Sequence, residues 1–281
     1  MEEEIKQQIA ALKKEKDAVI LAHYYVDGPV QEIADFVGDS YYLAKKATTV
    51  SERVIIFCGV SFMGESAKIL NPDKKVVMAD ETADCPMAHM VDVDRIKEVR
   101  QQYSDVAVVC YVNSTAEIKA ASDVCVTSSN AIKIVKNLPN HDIFFIPDNN
   151  LGRYVAKQLP DRHFIFNDGF CHVHKSIHRE DVLKAKEVHP EALVLAHPEC
   201  TSDTLELADF IGSTSQIIDY ATASDSKKFL ICTEMGVFYE LMQKNPDKKF
   251  YSVGHRQFCP NMKKITLDKV EQALTNMAPE M

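Results

Sequence analysis

Short, almost wholly apolar runs recur along this chain, each stopped by turn residues and followed by a stretch with helical spacing. "AVILA" (18–22), "VAVVC" (106–110) and "ALVLA" (192–196) come first in each of three sets. "RVIIFCG", "DIFFIP" and "KFLICT" come second, each leading to a Met-Gly or Leu-Gly pair that opens a helix, in "FMGESAKIL", "NLGRYVAKQL" and "EMGVFYELMQ". "KVVMAD", "HFIFND" and "KFYSVG" come third. Apolar strands alternating with helix-length segments mark parallel strands buried on both faces. The pattern predicts an α/β protein of three αβα sandwich domains with short parallel sheets, related by pseudo-threefold symmetry around a central active-site cavity. Handed crossovers put the loops that follow the strands on one edge of each sheet, where ligands of such folds bind.

The residues that end the first runs, His23, Tyr111 and His197, serve as pivots, 88 and 86 residues apart. Twelve residues beyond each pivot stands an aspartate, Asp35, Asp123 and Asp209. Seventeen residues beyond stands a hydroxyl, Ser40, Ser128 and Thr214, and two residues beyond stand Tyr25, Asn113 and Glu199. The chain therefore reads as an N-terminal helix over 1–17 and three copies of one unit, 18–104, 105–190 and 191–281, the last including a C-terminal helix in "LDKVEQALTNM". No Pro/Gly/Ser-rich linker separates the copies, which points to tight packing about a shared centre.

Composition narrows the function class. The 281 residues are 46% apolar and 26% charged with a formal net charge of −9, a balance that disfavours nucleic acid or an anionic membrane surface as partner. A small-molecule enzyme fits better. The charged, helix-periodic "MEEEIKQQIAALKKEKDAVI" lacks the apolar core and cleavage site of a signal peptide, and no run approaches 18 apolar residues, so a cytoplasmic location is expected. Eight cysteines in a reducing compartment are then packing residues, reactive thiols or metal ligands rather than disulfides.

Their spacing sorts them. Cys85, Cys171 and Cys259 lie 62, 60 and 62 residues beyond their pivots, in the loops "ETADCPMAHM", "GFCHVHKSI" and "HRQFCPNMKKI" that follow the third strands. They are one position used three times. Cys58, Cys110, Cys125, Cys200 and Cys232 show no such recurrence and are expected to be packing residues, Cys200 merely neighbouring Glu199. Three loop thiols from quasi-equivalent domains would meet on the pseudo-threefold axis, and thiolates select zinc, copper(I) or iron–sulfur clusters. Zinc usually takes a fourth protein ligand, and no C-x-x-C pair of the structural-zinc type occurs in the chain. A cubane cluster on three cysteines leaves one iron open, able to act as a Lewis acid.

The pivots sit on the same loop edge, so His23, Tyr25, Tyr111, Asn113, His197 and Glu199 are expected to line the cavity. Ser40, Ser128 and the Ser213–Thr214 pair fall in turns expected to open helices, where hydroxyls and backbone N–H groups bind carboxylate or phosphate. Such a cavity suits a small polyanion.

These residues resemble those of the quinolinate synthase family, iron–sulfur enzymes of bacterial NAD biosynthesis. The carriers run nearly end to end: "AHYY", "GDSYYLAKKA", "FCGVSFMGESAKIL", "CYVNSTAEIKAASDVCVTSSNA", "PDNNLGRYVA", "HPEC", "GSTSQI" and "CPNMKKITL". The resemblance implies a 4Fe-4S cluster on Cys85, Cys171 and Cys259, with one open iron. It implies substrate contacts at His23, Ser40, Tyr111, Asn113, Ser128, His197, Glu199 and Thr214 with its neighbour Ser213, and a catalytic tyrosine at Tyr25. The implied reaction condenses iminoaspartate with dihydroxyacetone phosphate to give quinolinate, phosphate and water, with Tyr25 and Glu199 moving protons and Tyr111 and His197 beside them. An aspartate-oxidising enzyme would supply the iminoaspartate. Some members carry an additional C-x-x-C redox switch that this sequence lacks. Another three-cysteine hydro-lyase and a non-enzymatic cluster sensor are the alternatives.

Overall fold

The computed structural model describes residues 2–281. Twelve strands form three separate four-stranded sheets, all parallel. The first holds β1 (Ala18–His23), β2 (Phe36–Gly38), β3 (Val54–Cys58) and β4 (Lys75–Met78) in the order β2-β1-β3-β4. The second holds β5 (Val106–Tyr111), β6 (Val124–Val126), β7 (Asp142–Ile146) and β8 (His163–Phe166) in the order β6-β5-β7-β8. The third holds β9 (Leu193–Ala196), β10 (Phe210–Ile211), β11 (Lys228–Cys232) and β12 (Lys249–Ser252) in the order β10-β9-β11-β12. Every residue of β1 and β5 is buried, as strands covered by helices on both faces must be.

The copies share their registers. Leu21 pairs with Phe36, Val109 with Val124 and Leu195 with Phe210, a separation of 15 residues each time. Ala18 pairs with Val54, Val106 with Asp142 and Leu193 with Phe229, a separation of 36. Val54 pairs with Lys75, Asp142 with His163 and Lys228 with Lys249, a separation of 21. The short strands β2, β6 and β10 were not expected from the sequence, which shows three strands per copy. At two or three residues they are too brief to display a period.

The aspartate twelve residues beyond each pivot holds these edge strands in place. The backbone N–H groups of Ile20, Val108 and Val194 donate to Asp35, Asp123 and Asp209 carboxylates at 2.8, 2.7 and 2.7 Å. Each aspartate returns a bond from its own N–H to the carbonyl of the same residue, at 3.0, 3.0 and 2.9 Å. The aspartate thus occupies the ladder position just before the edge strand and satisfies a donor buried in the first strand.

The chain forms two compact units, Met1–Cys85 with Phe258–Met281, and Pro86–Gln257. In the first unit, helix Leu267–Asn276 packs on helix Glu2–Lys16, and residues 279–281 hydrogen-bond antiparallel to β4 through Met78 N–H to Pro279 O and Met281 N–H to Val76 O. That pairing covers the open edge of the first sheet. The second unit contains the other two sheets, with apolar clusters such as Val108, Phe144, Ile146 and Ile118, and Val194, Ala196, Leu230 and Val182. No helix among the described residues is long and apolar enough to cross a membrane.

Candidate active site

In a sheet whose order runs 2-1-3-4 the chain reverses direction of growth between its first and third strands, and ligands bind beyond the carboxyl ends of those strands. His23 and Tyr111 are the last residues of β1 and β5, and His197 follows the last residue of β9. All three are buried, at 4%, 5% and 3% exposure.

In the first unit the Tyr25 N–H donates to His23 Nδ1 at 3.2 Å, and the two rings meet edge to face with centroids 4.4 Å apart. An Nδ1 that accepts leaves the ring hydrogen on Nε2. Lys263 Nζ donates to the Tyr25 carbonyl at 2.8 Å and pairs with Asp27 at 3.2 Å, while Lys264 Nζ donates to the Thr82 carbonyl at 2.6 Å. These two lysines tie the turn that carries Cys259 to the loops beyond β1 and β4, the latter being the loop that carries Cys85.

The second unit gathers a denser set. The Glu199 N–H donates to His197 Nδ1 at 3.3 Å, repeating the arrangement at His23 and Tyr25. Glu199 Oε2 lies 2.6 Å from His174 Nδ1 and 3.9 Å from His197 Nδ1, and the two imidazoles stack 4.5 Å apart. His174 Nε2 lies 2.9 Å from the Thr233 hydroxyl. Glu199 is 2% exposed, yet against the cost of burial the charge of His174, with hydrogen bonds from His174 and Tyr111, holds its carboxyl down to about 2. Burial and the Glu199 charge raise the Asp148 carboxyl well above the usual carboxylate range. Two neighbouring carboxyls are thereby pushed in opposite directions, Glu199 down and Asp148 up. The Asn113 carboxamide oxygen is buried and accepts no hydrogen bond, an acceptor positioned for a donor the chain does not supply.

The three loop cysteines share a local device. The N–H of the residue opening each post-strand helical turn, Ser61, Asn149 and Met235, donates to the carbonyl two residues before the cysteine, Ala83, Gly169 and Gln257, at 2.9, 2.9 and 2.7 Å. Side chains reinforce it. Asp148 Oδ2 accepts the Cys171 N–H at 3.0 Å, the Asp84 carboxylate accepts both the Cys85 N–H and the Ser61 hydroxyl, and Gln257 Nε2 donates to the Ile231 and Thr233 carbonyls at 2.7 Å. A side chain at Gly169 would collide with the Pro147 carbonyl at 2.4 Å, which is why the turn before Cys171 needs glycine. Cys85, Cys171 and Cys259 are half-buried, whereas Cys58, Cys110, Cys200 and Cys232 are buried. Burial pushes Cys58 and Cys232 up to about 12, unsuited to a thiolate ligand. Cys125, expected to pack inside, is instead exposed, because β6 is an edge strand.

The hydroxyl turns differ. Ser40 and Thr214 are the first residues of helices Ser40–Ala47 and Thr214–Ala223, capped by Asp39 and by a Ser213/Gln216 capping box. Ser128 does not open its helix, which begins at Ala131. The Asn130 carboxamide folds back to accept the Thr127 N–H at 2.7 Å and holds residues 127–130 as a turn.

Cys171, His174 and Glu199 place a sulfur, a nitrogen and an oxygen within 4.8 Å of one another, a set that could hold a metal. Glu199 lies beside one His174 nitrogen and Thr233 beside the other, so the ring already faces polar partners on both sides. Sequence reasoning missed His174 and Asp148. Both carried a signal in the repeat. Three residues after the cysteines stand Ala88, His174 and Met262, all buried, so one histidine replaces two apolar residues. Two residues after the second strands stand Val60, Asp148 and Glu234, two buried acids where the first copy has valine.

A family model described as "Quinolinate synthetase A protein" (NadA) matches residues 7–281. Proteins named quinolinate synthase from Caldicellulosiruptor saccharolyticus, Fusobacterium nucleatum and Clostridioides difficile are 55%, 54% and 50% identical to the chain, over 272, 277 and 281 residues. Those alignments cover 97%, 99% and 100% of this chain and 90%, 92% and 92% of the respective relatives. With near-complete coverage at half identity or better, and with the pivots, hydroxyl turns and loop cysteines set on the carboxyl edges of three like sheets, the chain belongs to the quinolinate synthetase A family of enzymes.

Proposed function

We propose that the chain is a quinolinate synthase that condenses iminoaspartate with dihydroxyacetone phosphate, giving quinolinate, phosphate and water, with a 4Fe-4S cluster on Cys85, Cys171 and Cys259. The carrying observation is the shared anchoring of those cysteines, one from each copy (18–104, 105–190 and 191–281), two residues past a carbonyl bound by the post-strand turn. The donor set, one half-buried thiol from each turn, suits an iron–sulfur cluster, which is held by Cys thiolates. When bound, a cubane on three thiolates supplies one iron open to a substrate oxygen as a Lewis acid.

The chain's own groups divide the remaining work. His23 and His197, each with its hydrogen set on Nε2 by the backbone N–H two residues on, donate to substrate oxygens. Ser40, Ser128 and the Ser213–Thr214 pair hold the carboxylates and the phosphate, and Asn113 Oδ1 accepts a substrate N–H or O–H. Glu199 at about 2 is by itself a weak base. A substrate dianion beside it raises its affinity for a proton, so it becomes a competent acceptor only once the site is filled. Tyr25 and Glu199 exchange protons with the substrate, Tyr111 hydrogen-bonds Glu199, and His174 braces it from the other side. Iminoaspartate comes from an aspartate-oxidising enzyme.

Anaerobic incubation of the iron-loaded protein with both carbon substrates, followed at the absorbance of a pyridine dicarboxylate, tests this reading. Formation of quinolinate supports it. Dehydration of a hydroxy acid without use of the triose phosphate would make the protein a different hydro-lyase, and no turnover with an intact cluster would make it a sensor.

A further inference from the structure

Four of the five cysteines outside the repeated register are sealed in the core, and the fifth is not. Cys125 is exposed on the edge strand β6, and its register partner on β5 is the buried Cys110. Register partners project from the same face of a sheet, and neighbouring strands run about 4.7–4.9 Å apart. That spacing falls inside the about 4.4–6.8 Å Cα separation a disulfide spans. The buried Cys110 thiol donates to the Tyr111 carbonyl at 3.4 Å, and the two thiols perturb each other's ionisation. The sister sheets show that the fold needs no sulfur there, since the equivalent pairs are Ala22 with Val37 and Ala196 with Ile211.

We propose that Cys125 and Cys110 are a reversible oxidation site, Cys125 attacking a low-molecular-weight disulfide and Cys110 resolving the adduct. The neighbouring Cys110 thiol, aided by the Lys119 charge, lowers the Cys125 thiol to about 7, while the same coupling and burial push Cys110 up. Cys125 is thus partly thiolate near neutrality and reachable from solvent. Its sulfur bonds to one sulfur of the small disulfide, and the other leaves as thiolate. Formation of the adduct removes the interaction with a thiolate that raised Cys110. Cys110 then gives its proton to the departing thiolate and attacks Cys125 Sγ, and a second small thiol leaves. Two protein thiols lose two electrons, one small disulfide becomes two thiols, and a dithiol reverses the exchange. Neither thiol is one of the loop cysteines.

The test uses iron-loaded protein prepared without oxygen, equilibrated with glutathione disulfide and glutathione at graded ratios, acid-quenched, alkylated and mapped by peptide mass spectrometry. A Cys110–Cys125 linked peptide should grow with the oxidised fraction and vanish with dithiothreitol, while iron content stays constant. Cys110→Ala, which installs the residue of the sister sheets, should trap a glutathione adduct on Cys125. Cys125→Val, made by the same logic, should leave Cys110 unmodified. The proposal is overturned if no linked peptide forms at the most oxidising ratio, if Cys110→Ala shows no adduct, or if Cys110 is modified in Cys125→Val.

Discussion

Replacing Asp123 separates two roles that its carboxylate plays at once. It accepts the Val108 N–H at 2.7 Å and pairs with Arg100 Nη2 at 3.0 Å. The ion pair is half exposed, with side-chain exposures of 37% and 45%, and such pairs are worth about 0–1 kcal/mol. The backbone bond is different, because Val108 is fully buried and a hydrogen bond to a charged acceptor contributes about 1.5–3 kcal/mol. Water can reach a half-exposed carboxylate's place, so Asp123→Ala belongs toward the lower end, about 2 kcal/mol. Asp123→Asn keeps an oxygen for Val108 and should cost about 0.5–1 kcal/mol, and Arg100→Ala no more than about 1 kcal/mol. For a chain of this length each kcal/mol moves the midpoint by about 2–4 °C, which gives a drop of about 4–8 °C for Asp123→Ala. The assay is thermal unfolding of iron-loaded protein without oxygen, at one scan rate, because unfolding that releases a cluster is irreversible. Ser128 lies five residues beyond Asp123, so KM should rise in the alanine variant while the asparagine variant holds it. If Arg100→Ala destabilises as much as Asp123→Ala, or if asparagine rescues nothing, the aspartate is an ion-pair residue and the ladder argument fails for all three copies.

Single Cys85→Ala, Cys171→Ala and Cys259→Ala variants should lose most iron and sulfide with all activity, while Cys58→Ala and Cys232→Ala keep iron and lose about 1 kcal/mol of packing; elemental analysis of anaerobically purified protein decides, and an iron requirement for either buried cysteine refutes the ligand set. Tyr25→Phe should reduce turnover more than tenfold, about 1.4 kcal/mol of barrier, with the cluster spectrum unchanged. Glu199→Gln should do likewise, and normal turnover in either variant removes that residue from the proton path. Alkylation of Cys125 should accelerate as pH rises through about 7, where its thiolate forms, and the midpoint should move upward in Cys110→Ala, because removing the neighbouring thiol removes the stabilisation of the thiolate. An unmoved midpoint would mean Lys119 alone sets it.

The first two of the longer strands in each copy were legible because four to six consecutive apolar residues mark a strand buried on both faces, and the partly exposed third strands, with only two or three apolar residues in a row, were legible by their place after the helix that follows the second strand. The hydroxyl turns were legible as positions, but the start of the helix after Ser128 was not. Whether Asn130 caps forward or folds back onto Thr127 depends on a side-chain rotamer, which spacing does not encode. The recurrent aspartates were visible without their meaning, since a carboxylate that replaces a rung of a ladder looks in sequence like any turn aspartate. His174 and Asp148 belong to single copies or to two, so a search for threefold agreement passes over them. Cys125 read as a packing residue because its neighbours Val124 and Val126 are apolar, and only the sheet order shows that the strand lies at an edge.

Equal registers in the three sheets give the chain a built-in control experiment. Where all three copies hold the same residue type at one register, as at Asp35, Asp123 and Asp209, the requirement comes from the backbone they share. A scaffold made only of such positions could not tell one end of a substrate from the other. Direction can enter only where the copies disagree: His, Tyr and His at the pivots, Tyr, Asn and Glu two residues on, Val, Asp and Glu beyond the second strands, Ala, His and Met after the cysteines. Each disagreement is a vote cast by one copy, and exchanging residues between copies, such as Asn113→Glu with Glu199→Asn, would transplant that vote without altering a single strand.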